Sequence, residues 1–127
     1  NLTKYRTNYI TSGVFSKKWE GIVFCFHECL QFLFFRDFKN KEVSRRIPLG
    51  LFPLCLNPSN DEEYFCVGTK EGLNLLISKN DNSISTGFTS DIFKGHSSGI
   101  KSVAFSNDKS QLITASHSEI IVWSIKS

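Results

Sequence analysis

The 127-residue sequence contains no stretch of sustained helical periodicity, which excludes a helical fold. It also lacks a run of about 20 apolar residues, the length needed to cross a bilayer as a helix. The most apolar stretch, residues 22–35 (IVFCFHECLQFLFF), is shorter and carries His27, Glu28 and Gln31. It reads instead as two buried strands turning at His27-Glu28-Cys29. No basic block announces nucleic acid: 15 basic and 12 acidic residues leave a net charge of +3. The pairs Lys17-Lys18 and Arg45-Arg46 read most simply as solvated turns or strand faces. No glycine-rich phosphate loop is present, since Lys94-Gly95-His96 lacks the required spacing. No serine near His96 or His117 stands in a nucleophile-elbow sequence. Methionine is absent, and the chain opens at Asn1.

What is present is repetition. Phe15–Val23 lies on Phe105–Ile113 without a gap, and Ile22–Leu30 lies on Phe65–Leu73. The spacing gives three units at about 1–39, 40–80 and 81–127, near the 40–45-residue period of propeller repeats. Each unit consists of short apolar or alternating runs bounded by Ser, Asn, Asp and Gly clusters, such as 106–110 and 58–61. Innermost strands are expected at 9–15, 51–56 and 100–105. Second strands are expected at 21–27, 63–69 and 111–116, and third strands at 30–36, 73–78 and 119–125. Outer strands would fall at 42–47 and 84–93. Pro53 sits in an innermost run, where the missing N–H is tolerable because that strand is a sheet edge.

Residues 95–125 (GHSSGIKSVAFSNDKSQLITASHSEIIVWSI) resemble a WD40 repeat. Gly95-His96 stands where that family has its Gly-His pair, and Trp123 stands where it has its tryptophan. The resemblance implies a structural hydrogen-bond set of His96, Ser116 and Trp123. The family's turn aspartate is missing; the turn reads His117-Ser118-Glu119, so Ser118 or Glu119 is left as its substitute. The first two units have no Gly-His pair at the matching place. The expectation is an all-β fold: a partial β-propeller of about three four-stranded antiparallel blades. Propellers close with 4–8 blades, so the chain is expected to be a segment whose ring is finished by further blades, in the same chain or in a partner.

The four cysteines invite a metal reading, because Cys25, His27 and Cys29 alternate, with Cys55 or Cys66 as a fourth ligand. The spacing is not that of a zinc ribbon, and reduced packing thiols in an intracellular protein, cytoplasmic or nuclear, fit better. The expectation is therefore no metal, no cofactor and no catalytic residue. By resemblance the protein is a non-catalytic scaffold for other proteins. Its candidate partner-binding rim is His27, Lys70, Ser97, Ser98 and His117, on the turns after the second strands and the adjoining loop. The alternative is a nucleic-acid-associated propeller subunit of a ribonucleoprotein or chromatin assembly, supported by the mild positive charge and the two basic pairs.

Overall fold

Alternating side chains and frequent turn residues give this chain eleven strands among the residues that the computed structural model describes: 10–40, 45–79 and 88–125. The strands are β1 (Ile10–Ser16), β2 (Gly21–Phe26), β3 (Cys29–Phe34), β4 (Arg45–Pro48), β5 (Pro53–Pro58), β6 (Tyr64–Thr69), β7 (Leu73–Lys79), β8 (Phe88–Lys94), β9 (Ile100–Phe105), β10 (Gln111–Ser116) and β11 (Ile120–Ser124). They form three antiparallel sheets in sequential order, β1-β2-β3-β4, β5-β6-β7-β8 and β9-β10-β11. A 3₁₀ segment, Phe35–Asn40, leaves the end of β3. No helix among the described residues is long and apolar enough to cross a membrane.

The sheets stack through their faces. Period-2 alternation sends one set of side chains from each sheet toward the preceding sheet and the other toward the following one. Val23, Cys25, Leu30 and Phe32 of the first sheet bury against Phe65, Val67 and Ile77 of the second. Phe32 and Phe65 meet edge-to-face with ring centroids 5.8 Å apart. Cys66 of the second sheet packs with Ile100, Val103 and Leu112 of the third. Each fully buried Phe, Leu or Ile contributes about 1.5–3 kcal/mol, so these two interfaces are the main cohesive elements.

The innermost strands β1, β5 and β9 lie side by side. Thr11 Oγ1 donates to Pro53 O at 2.8 Å, and Cys55 Sγ to Ile100 O at 3.5 Å. β1 and β5 thus each donate to the first carbonyl of the next inner strand. Asn57 Nδ2 adds a bond to Val103 O at 2.7 Å. Pro53 opens β5 at the sheet edge, where no ladder partner needs its missing N–H.

At one end of the strands the β1–β2, β5–β6 and β9–β10 turns adjoin. Glu62 accepts from the backbone N–H of Lys17 and Lys18, Glu63 pairs with Lys18, and Asp61 pairs with Lys109. Lys17 and Lys18 are thus partners of an acidic turn.

The described strands fall close to their expected positions, with one difference of element type at the end of β3. The third sheet has three strands among the described residues, β9 to β11, at the three positions expected for that unit over 100–125. The strand expected over 30–36 ends at Phe34, because Phe35 N turns back to donate to Glu20 O at 2.8 Å and starts the 3₁₀ segment. Expected strand positions 9, 42–44 and 84–87 lie outside the described residues.

Candidate functional site

Thr114 on β10 is the hub of the hydrogen-bond set beneath the third sheet's upper end. Its Oγ1 lies 2.7 Å from His96 Nε2 and accepts from Trp123 Nε1 at 2.8 Å. His96 is 2 % exposed and Thr114 is fully buried. Gly95 is required beside it: a Cβ there would meet Trp123 Cη2 at 2.6 Å, so the indole lies on bare backbone. Indole N–H is donor only, so the Thr114 oxygen accepts from it, while the direction of the Thr114–His96 bond follows the imidazole tautomer; Nδ1 faces Glu119, whose Oε1 is 3.8 Å away. Ser97 N–H and hydroxyl approach the same carboxylate oxygen at 3.4 and 3.5 Å. Glu119 therefore stands where the turn acid is missing, at ion-pair and not hydrogen-bond distance from the ring.

The hydroxyl expected from Ser116 is corrected to that of Thr114. Leu112 pairs with Trp123 and Thr114 with Ile121, so Thr114 is the diagonal neighbour of the indole on one face. Ser116 lies one further step along, past a register shift, and its hydroxyl is buried without a hydrogen-bond partner.

The rim residues read from sequence occupy one interlocked strip at the opposite strand end from the acidic turns. Leu49 N donates to Glu28 O at 2.7 Å, tying the loop after β4 to the turn that holds His27. Phe52 N donates to Glu71 Oε1 at 3.0 Å while Lys70 N donates to Phe52 O at 2.9 Å. That reciprocal pair fixes the next turn. Gly72, at φ +83°, brings this turn onto the loop before β9, where a Cβ would lie 2.4 Å from His96 O and 3.0 Å from Ser98 O. Ser97 then reaches Glu119 beside His117. His27, Lys70, Ser97 and His117 are exposed and Ser98 is half-buried. Sequence reasoning missed Glu71 and left Glu119 open beside Ser118; both acids are exposed in turns, and only the fold shows what they hold.

Burial, with a smaller repulsion from Cys55, pushes Cys25 up to about 12, and burial pushes Cys55 up to about 11 and Cys66 higher still. Burial thus favours the protonated form of these three thiols, which lowers their reactivity as nucleophiles. Among the described residues no group of three or more His, Cys, Asp and Glu side chains is placed to hold a metal ion.

Residues 87–124 match the family model "WD domain, G-beta repeat". The match takes in β8 of the second sheet with all of β9–β11, so the repeat and the sheet are offset by one strand. No curated protein gives a match to this chain. Among solved structures, the chain is similar to the crystal structure of RRP9 WD40 repeats, with TM-score 0.75 and 20 % identity over 98 % of this chain. It is also similar to the structure of U3-55K, with TM-score 0.73 and 19 % identity over 98 % of this chain. At such identities the likeness is one of fold. The chain spans 38 % of the length of each.

Proposed function

We propose that this chain, whose fold is that of WD40 propeller blades and whose last repeat matches the WD40 model, serves as a non-catalytic platform for other proteins in an intracellular complex. Propellers of this type generally act as rigid surfaces that hold several partners, with the work done by loops on their rims. The observation that carries the reading is the interlocked rim. Lys70, Ser97 and His117 present polar atoms to solvent from turns whose backbones are fixed by Glu71, Gly72 and Glu119, so partner binding there costs little ordering entropy.

The reading includes further blades. Val23, Cys66 and Ile113 are equivalent positions facing the following sheet. The first two are fully buried, while Ile113 is 46 % exposed, with Val122 and Ile120 beside it at 57 % and 74 %. On the other side Phe15, equivalent to the half-buried Phe105, is 80 % exposed. Faces that close the first two interfaces stand open at both ends of the stack, and the occupant that matches them is another blade of the same kind. The larger size of the solved neighbours supports this.

The test is affinity purification with quantitative mass spectrometry of the wild type, a Lys70→Glu/His117→Glu variant and a control Lys101→Glu on β9. Partners bound through the rim are lost from the double variant and kept by the control. Partners retained equally by all three would argue against the rim.

A further inference from the structure

Lys17-Lys18 and Arg45-Arg46 are far apart in the sequence, yet one member of each pair meets the other in the fold. Lys18 from the β1–β2 turn and Arg45 from the start of β4 line one cavity of about 290 Å³ with Trp19, Glu20, Phe34 and Arg36. The aromatic residues form its apolar ground. Trp19 is braced edge-to-face by Phe32 with centroids 5.8 Å apart, and Phe34 is 9 % exposed. The Arg36 guanidinium lies 4.6 Å from the Phe34 ring centroid and the Lys18 ammonium 5.9 Å from that of Trp19. An arginine held against a ring keeps its in-plane N–H fork for an oxyanion. Three cations and one carboxylate therefore line the cavity, with Glu63 positioning Lys18 from outside it.

We infer that this cavity binds a phosphoryl group carried on a side chain of a partner polypeptide. Guanidinium and ammonium side chains lining one cavity match the charge of a tetrahedral oxyanion, and arginine clusters are the usual receptors of phosphorylated segments. A polynucleotide fits less well, because its backbone needs a track of cations. The turn beside the cavity instead presents Glu62, Glu63 and Asp61, which repel a second phosphate. The cavity goes beyond the platform reading: it lies at the opposite strand end from Lys70 and His117, so either proposal can fail without the other.

The experiment is an NMR titration of the ¹⁵N-labelled full chain, following the two indole N–H resonances. The probes are a terminally blocked Gly-phosphoserine-Gly peptide, the same peptide without phosphate, inorganic phosphate and a uridine decanucleotide. The phosphopeptide is expected to move the Trp19 resonance and leave Trp123 in place, while the unphosphorylated peptide moves neither. Arg36→Ala/Arg45→Ala should weaken the phosphopeptide about tenfold or more with the Trp123 resonance preserved. If the double variant loses that resonance, Arg36→Ala alone, outside every strand, gives the same readout. No movement of Trp19, or equal affinity of the folded variant, would overturn the inference. So would inorganic phosphate binding as tightly as the peptide, or the oligonucleotide displacing the peptide at lower concentration.

Discussion

The Thr114 hydroxyl joins the polar groups of two aromatic side chains, His96 and Trp123, so its removal should be felt beyond one hydrogen bond. Thr114→Val keeps the shape and leaves the Trp123 N–H and His96 Nε2 buried without that oxygen. A loss of about 1–3 kcal/mol is expected, read as a lower denaturant midpoint, whereas Ser116→Ala should change it little. Gly95, His96 and Trp123 were legible in the sequence because motif residues keep their spacing from the turns. Thr114 was not: it and Ser116 have the same parity on β10 and point to one face, so only the register with β11 decides between them. A second residue-scale prediction concerns acid. The Lys109 ammonium beside Asp61, helped by the Glu63 N–H and the Ser59 hydroxyl, holds that carboxyl at about 2, below its usual 3.8. Because the folded value is the lower one, the contribution is present above about pH 4 and disappears as pH falls through about 2. Asp61→Asn should flatten the dependence of Tm on pH between 4 and 2, modestly, since the pair is exposed.

At the scale of elements, the strands announced themselves through alternation and flanking turn residues, and their described parts fall within a few residues of expectation. The turns were less legible. Glu20, His27, Glu62 and Lys109 all adopt left-handed φ between 51° and 65° without being glycine, so no residue type marked those positions. The 3₁₀ segment at Phe35–Asn40 was read partly as strand, because its aromatic residues carry strand character. Gly72 is the turn position where the fold tolerates least. Gly72→Ala combines a strained φ with a Cβ only 2.4 Å from His96 O, so it should cost more than about 1 kcal/mol and displace the loop carrying Ser97 and Ser98. Thermal unfolding reads the first effect. The amide shifts of residues 96–99 read the second; wild-type values at both would show that the rim is not held through this contact.

For the molecule as a whole, stacking order follows from a regularity that the sequence carries and its implicit geometry hides. Equivalent residues are visible as a repeat, but which of them faces forward and which backward appears only once sheets are stacked. The same is true of the Lys18–Glu63 and Asp61–Lys109 pairs, which join turns of different units. The stack's consequence is an exposed apolar surface of Ile113, Ile120 and Val122, the surface that the proposed function assigns to a neighbouring blade. Light-scattering molar mass across a concentration series, for the wild type and for Ile113→Lys/Val122→Lys, tests this most directly. The wild-type chain alone should associate increasingly above its monomer mass, while the variant stays monomeric with an unchanged far-UV spectrum. A wild-type chain that remains strictly monomeric at every concentration, with its β11 amides as protected from exchange as those of β6, would contradict the account.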